Sequence, residues 1–135
     1  ILAAVETVNS KMPATLDAAA LCKMADRGQI TGGLLDGPLA FDNAISKEAA
    51  KIKGITSEVA GDPDILLVPD LEAGNMLAKQ LSFLANADSA GLVLGARVPI
   101  ILTSRSDSVR SRIASCAVAM QAAHARRADL PGARS

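Results

Sequence analysis

Ile100-Ile101-Leu102-Thr103-Ser104-Arg105-Ser106-Asp107-Ser108-Val109 decides the reading of this chain, because a short apolar run of strand character passes directly into the start of a long amphipathic helix. The six residues at the junction, Thr103 to Ser108, put a serine and an arginine beside a helix N-terminus. Backbone N–H groups of a first helical turn have no partner inside the helix, and the macrodipole favours negative charge there. A guanidinium can also hold two oxygens of a phosphate or carboxylate at once, so the junction has the chemistry of an anion site. Arg105 is electrostatically misplaced at such an end unless an anion or a carboxylate accompanies it. Asp107 can be that carboxylate, and Asp107 or Ser108 can equally be an ordinary N-cap.

Strand and helix patterns alternate upstream of the junction. Ile1 to Val8 has strand length, and Asn9 to Ala14 reads as a loop. A helix capped by Thr15 follows, with Leu16, Ala20, Leu21 and Met24 as its apolar stripe and Gly28 as its left-handed stop. Ile30 to Leu35 reads as a second strand ending at Asp36-Gly37-Pro38, and a helix is expected from about Asp42 to Lys53, stopping at Gly54. The continuous apolar run Ile65 to Val68 predicts a strand covered on both faces. Beyond Pro69-Asp70, a helix from about Gly74 presents Met76, Leu77, Leu81 and Leu84, strands follow at Leu92 to Leu94 and Ile100 to Leu102, and the last helix runs from Val109 to Arg126. Residues 128–135 contain Pro131 and Gly132 and are expected to form a flexible tail.

This alternation predicts an α/β fold, with a parallel or mixed sheet covered by helices on both faces and ligands gathering at the carboxyl ends of the strands. Asp36-Gly37-Pro38, Pro69 to Asn75 and Thr103 to Ser108 each follow an expected strand, so one shared rim is expected. Singly, each has an ordinary account as a turn, a helix start or a cap.

Half of the 135 residues are hydrophobic, enough for one compact core, and 14 basic against 14 acidic residues leave no net charge. That balance argues against nucleic-acid or anionic-membrane partners, so anion recognition has to be local. Cys22 and Cys116 lack C-x-x-C spacing and are too few for a disulfide scaffold, which fits a reducing cytoplasm. Both are read as buried small hydrophobes. The apolar runs are too short to cross a bilayer, and a soluble cytoplasmic protein is expected. Ile1 stands inside strand-like sequence, so a longer N-terminal portion is expected to be missing.

The chain resembles the phosphate acetyltransferase and phosphate butyryltransferase family. The resemblance rests on Val5-Glu6-Thr7-Val8-Asn9, Met12-Pro13-Ala14-Thr15, Asp26-Arg27-Gly28-Gln29-Ile30, Asp36 to Asp42, Pro69 to Asn75, Gly95-Ala96-Arg97-Val98-Pro99 and the Ser104-Arg105 pair, in that order. It runs from Ile1 to about Arg127, matches the C-terminal part of a longer chain, and looks closer to the butyryltransferase-like branch, including forms fused to an enoyl-CoA hydratase domain. It implies reversible acyl transfer between coenzyme A and inorganic phosphate, with coenzyme A as substrate, acyl phosphate as the other partner, and no metal or resident cofactor. It also implies a homodimer with a cleft between two α/β domains of an isocitrate/isopropylmalate-dehydrogenase-like fold. Residues 1–97 would form one wall, and 98–127 would return to the other, N-terminal domain.

By the same resemblance Ser104 and Arg105 orient the acyl phosphate, and Asp36, Gly37, Pro38, Gly74 and Asn75 contact substrate or coenzyme. A thiol of pKa about 8.5 must lose its proton to attack the acyl carbonyl, so a nearby carboxylate base is useful. The acetyltransferases carry their aspartate about where this chain has Ser111, and a coenzyme-binding arginine near Phe83. Asp107 is therefore the candidate base here.

Other residues carry less. His124 near the end of the last helix suits a surface role, Arg97 an ordinary ion pair or a coenzyme phosphate, and Asn75 a phosphate contact or a loop contact. A metal-dependent NAD(P) decarboxylating dehydrogenase shares the implied fold, and Asp36, Asp42 and Asp70 lie near the expected rim, yet no glycine-rich dinucleotide fingerprint is present. A noncatalytic binding or assembly module is the third reading.

Overall fold

The computed structural model describes residues 1–128, so the expected tail beyond Ala128 lies outside the described residues. The chain is α/β and divides into two compact units, Ile1–Leu77 and Ala78–Ser135. Its elements are α1 (Pro13–Asp26), α2 (Phe41–Ile45), α3 (Lys47–Ile52), α4 (Leu71–Phe83), β1 (Leu92–Val93), β2 (Ile100–Ile101) and α5 (Val109–Ala128).

In the first unit the opening residues are extended. Leu2 N–H donates to Leu67 O at 2.8 Å, Ala3 N–H donates to Leu39 O at 2.9 Å, and Leu39 N–H donates to Ile1 O at 2.9 Å. Three extended segments thus run side by side with Leu2 in the middle, and Leu2 pairs with Leu39 as an isolated parallel bridge. Leu2, Leu39, Ala44, Ala50 and Ala60 form the buried core, with Ile55, Leu66, Val68 and Leu77 packed on it.

Several expectations are corrected here. Ile30 to Leu35 is not a strand, because Gly32 takes φ +94 and Leu34 lies 71% exposed; the residue that pairs with the chain start is Leu39, beyond Pro38. Ile65 to Val68 forms no regular strand and is covered on one face only: Leu66 and Val68 pack on the core while Ile65 and Leu67 are exposed, a two-residue alternation. Helix α1 starts at Pro13, not after Thr15. The Thr15 hydroxyl is fully buried, accepts from Asn9 N–H at 2.9 Å, and lies within donating reach of Met12 O at 2.8 Å. The buried face of α1 carries Thr15 and Ala18, and Leu16 and Met24 are exposed, since small residues let the helix approach the 36–38 loop closely. Gly28 ends the helix at φ +72 as expected.

The helix expected from Asp42 to Lys53 is broken into α2 and α3. Ser46 adopts an extended backbone at φ −126 and ψ 115, and its hydroxyl accepts from Ala49 N–H at 3.2 Å, capping α3. A serine that can bond the backbone outside a helix favours such a break. The turn at Gly61 seats against it: Gly61 N–H donates to Ala44 O, and a Cβ on Gly61 would lie 2.6 Å from the Lys47 backbone. Helix α4 begins at Leu71, three residues before Gly74, because Asp70 Oδ1 accepts from Ala73 N–H at 2.7 Å. Of its expected stripe, Leu77 joins the core, while Met76, Leu81 and Leu84 are exposed.

In the second unit β1 and β2 form an antiparallel hairpin, with Leu92 opposite Ile101 and Val93 opposite Ile100. Among the described residues this is the sheet, so the broad parallel or mixed sheet with helices on both faces is not formed. The two strands are joined through Gly95 at φ +95 and Pro99, a connection too short for a parallel crossover. Helix α5 packs against both strands. Its inward face is small: Ser115 is buried, accepts from Gly91 N–H at 3.0 Å, and donates to Ser111 O at 2.7 Å. Ala119 is buried on the same face. Cys116, expected inside, is exposed, whereas Cys22 is half-buried. No helix among the described residues is long and apolar enough to cross a membrane.

Candidate functional site

Strand β2 delivers the chain into the junction loop, and Ser108 starts α5. The Ser108 hydroxyl accepts from Ser111 N–H at 3.1 Å, and Ser108 O accepts from Arg112 N–H at 3.1 Å, so the N-cap is Ser108 rather than Asp107. Asp107 instead folds the loop back on itself. Its Oδ2 accepts from Ser104 N–H at 2.6 Å, while Asp107 N–H donates to Ser104 O at 3.1 Å. The Ser104 hydroxyl lies 3.1 Å from the Ser106 hydroxyl and accepts from Ser106 N–H at 3.4 Å.

Ser104 and Asp107 are thereby brought together, and Arg105 and Asp107 are not: the Arg105 side chain is exposed and has no ion-pair partner among the described residues. A carboxylate that already holds a main-chain donor has one oxygen left for other chemistry.

Beside the loop opens a cleft of about 440 Å³, lined by Ser106, Asp107, Ser108, Arg110 and Ser111 on one side and by Lys79, Ser82, Phe83 and residues 86–89 on the other. Arg110 pairs with Asp88 at 2.6 Å, and the Lys79 ammonium stands 5.9 Å from the Phe83 ring centre. Ser111, where the resemblance looks for an aspartate, shares hydrogen bonds with the hydroxyls of Ser108 at 3.1 Å and Ser89 at 3.3 Å. Hydroxyls and two cations therefore line the cleft, with Asp88 and Asp107 opposing them.

The first unit holds the remaining candidates. Asp36 closes a tight turn, its Oδ1 accepting from Gly37 N–H at 2.8 Å, and Pro38 is buried behind a cis peptide bond. Gly37 is required by packing, because a Cβ there would lie 2.8 Å from Ile1 O. The Cys22 thiol reaches Gly37 O at 3.5 Å, and burial, followed by the charge of Asp36, pushes its pKa up, which makes it a poor nucleophile. Gly74 lets α4 approach Val68: a Cβ would fall 2.9 Å from Val68 Cγ2. Asn75 is exposed one residue further on. The segments carrying these residues, 36–38 and 70–75, do not follow named strands; only the 103–108 loop does.

One polar cluster was not read from the sequence. Glu6 Oε2 accepts from Lys53 Nζ at 3.2 Å and from Asn43 Nδ2 at 3.2 Å, while Lys53 also reaches Asp42 at 3.0 Å. Asn43 is fully buried, and its Oδ1 has no hydrogen-bond partner among the described residues. The Glu6 carboxyl is held below its usual range by its own backbone N–H and then by Lys53; Asp42 is lowered chiefly by Lys53, and Lys53 is raised chiefly by Asp42. Glu6 and Asp42 stand within motifs of the family resemblance, Asn43 and Lys53 do not, and pairing across 37 and 47 residues cannot be read from spacing. Among the described residues no group of three or more His, Cys, Asp or Glu side chains could hold a metal ion, so Asp36, Asp42 and Asp70 do not assemble into one.

Comparison with known proteins gives this geometry a family. The sequence profile described as "Phosphate acetyl/butaryl transferase" matches residues 1–120. The phosphate acetyltransferase of Rhizobium meliloti is 74% identical over 128 residues, covering 95% of this chain and 40% of the relative. The phosphate butyryltransferase of Clostridium acetobutylicum is 51% identical over 118 residues, covering 87% of this chain and 39% of the relative. A branched-chain phosphotransacylase from Enterococcus faecalis V583, known from a crystal structure, superposes with a TM-score of 0.78 at 38% identity, over 91% of this chain and 44% of that one. This chain therefore spans about 40% of the length of those curated relatives. With its profile matched over 120 of 135 residues, the chain belongs to the phosphate acetyl/butyryl transferase family.

Proposed function

We propose that this chain is the part of a phosphate acyltransferase that carries the acyl-phosphate-binding loop, and that the full-length protein moves an acyl group reversibly between coenzyme A and inorganic phosphate. The observation that carries this reading is Arg105, exposed and without an ion-pair partner among the described residues, one turn before a 20-residue helix. In a family of this name, an unpaired guanidinium beside a helix start suits a phosphoryl group.

In this reading the coenzyme A thiolate attacks the acyl-phosphate carbonyl, the C–S bond forms, the C–O bond to phosphate breaks, and inorganic phosphate leaves. Arg105 and the Ser104 hydroxyl hold the phosphoryl oxygens and offset the charge that grows on them, a contribution realised most fully in the transition state. Asp107, through the oxygen that Ser104 N–H leaves free, takes the thiol proton. Asp36, Gly37, Pro38, Gly74 and Asn75 contact substrate or coenzyme. Coenzyme A enters as substrate, and no resident cofactor or metal is needed.

The same proposal extends to the whole protein: a cytoplasmic homodimer of two-domain, isocitrate-dehydrogenase-like subunits. The test is incubation of the full-length protein with coenzyme A and acetyl or butyryl phosphate, with and without a chelator. Chelator-insensitive thioester formation supports the proposal. Metal-dependent turnover linked to NAD(P), or no turnover at all, contradicts it.

A further inference from the structure

We infer that Arg112 is a positioning residue for the Ser104-Arg105 loop, an inference that rests on the acyltransferase reading above. Arg112 lies in the first turn of α5, and its backbone N–H closes that turn on Ser108 O at 3.1 Å. Helical side chains lean toward the helix N-terminus, so the Arg112 guanidinium reaches back over the cap to the loop. There Nε approaches Asp107 O and a terminal nitrogen approaches Arg105 O, each at 3.4 Å.

Each contact is long for an N–H···O bond, but the two come from one planar group whose donors have fixed relative directions, so together they set the orientation of two carbonyls flanking Ser106. A cation at the positive end of a helix is unfavourable by itself. The two loop carbonyls, which lie outside the helix and accept no backbone donor among the described residues, supply the compensating negative ends. Asp107 fastens the same loop from within, through its contacts with Ser104. The loop therefore has an inner tie and an outer tie. With the carbonyl of Arg105 turned toward α5, the residue's own guanidinium is left exposed, as the structure has it.

A guanidinium that must meet a phosphoryl group loses rate steeply when its backbone drifts, up to about 10²-fold for an error of about 1 Å. The experiment compares the full-length wild-type protein with Arg112→Gln and Arg112→Lys, measuring kcat and KM for acyl phosphate and for coenzyme A, melting temperature, and activity with added guanidinium ion. The expected result is a fall of about 10- to 100-fold in kcat/KM for acyl phosphate in Arg112→Gln, little change in KM for coenzyme A, an unchanged melting temperature, and partial restoration by guanidinium. Arg112→Lys, which keeps the charge but not the two-pronged geometry, is expected to recover less than half of the loss; should Arg112→Gln not fold, this variant carries the comparison. Wild-type constants in either folded variant overturn the inference, as does a loss that guanidinium leaves untouched. Absence of thioester formation by the wild-type protein overturns the acyltransferase reading instead, so the two failures are distinguishable.

Discussion

Replacing Asp107 by asparagine separates two roles that its carboxylate can have. Oδ2 accepts from Ser104 N–H at 2.6 Å, and an asparagine amide presents an acceptor oxygen at the same reach. The loop therefore keeps its inner tie, with a neutral hydrogen bond in place of a charge-assisted one, a difference of about 1 kcal/mol or roughly fivefold in any equilibrium that depends on it. A general base fares differently, because an amide cannot take up the thiol proton; the loss is then about 10²- to 10⁴-fold in rate. The two effects differ by more than an order of magnitude. The assay is acyl-CoA formation from coenzyme A and acyl phosphate by the full-length protein, with melting temperature measured alongside. Asp107→Ala, which removes the acceptor as well, is expected to be slower still. A rate for Asp107→Asn within about fivefold of wild type, with the fold intact, refutes the base assignment and leaves Asp107 as a loop fastener only.

Three further outcomes test the packing described above. Gly61→Ala is expected to destabilise the first unit by roughly 2–3 kcal/mol, because its Cβ would meet the Lys47 backbone at 2.6 Å and φ is +89; a melting temperature equal to wild type would contradict that close approach. Ser115→Ala leaves Gly91 N–H without its acceptor and is expected to cost about 1–3 kcal/mol, read by chemical denaturation, with no loss meaning that the hydroxyl does not tie α5 to the hairpin. Lys53→Gln tests the Glu6–Asp42–Lys53 cluster by pH: both carboxyls are lowered in the folded state, so their stabilisation is full above about pH 4 and is lost as pH falls through their folded values. Lys53 is raised, so its share disappears only as pH rises through its folded value, above about 10.4. Wild type is therefore expected to melt above Lys53→Gln at pH 7 and level with it in strong acid, and a gap that persists below pH 2 would refute the cluster's contribution.

The second unit was the more legible in sequence. Leu92 and Ile100 start strands where their apolar runs do, and Val109 starts α5 where the serine-rich junction ends, since local pattern and local structure coincide there. Gly28 and Gly54 end helices at positive φ for the same local reason. Strand direction was not legible, because a connection from Leu94 to Pro99 fixes antiparallel pairing whereas the alternation of elements suggested parallel pairing. The break at Ser46 was hidden by a run of good helix formers and depends on the turn at Gly61, fifteen residues away.

In the site, Ser104, Arg105 and Asp107 could be singled out because a basic residue at a helix start is electrostatically conspicuous. Asp107's bond to Ser104 could not, since an aspartate three residues on reads equally as a cap. Arg112 was passed over for a similar reason: nothing in a sequence says that a helical arginine turns back toward loop carbonyls.

The central claim, that Arg105 holds the phosphoryl group of the substrate, is tested most directly by acyl-CoA phosphorolysis at varied phosphate in full-length wild type and Arg105→Gln. Arg105 is exposed, so the variant is expected to fold unchanged, while kcat/KM for phosphate falls by about 10²- to 10³-fold and KM for acyl-CoA stays put. A folded Arg105→Gln protein with the phosphate constants of wild type would contradict the account.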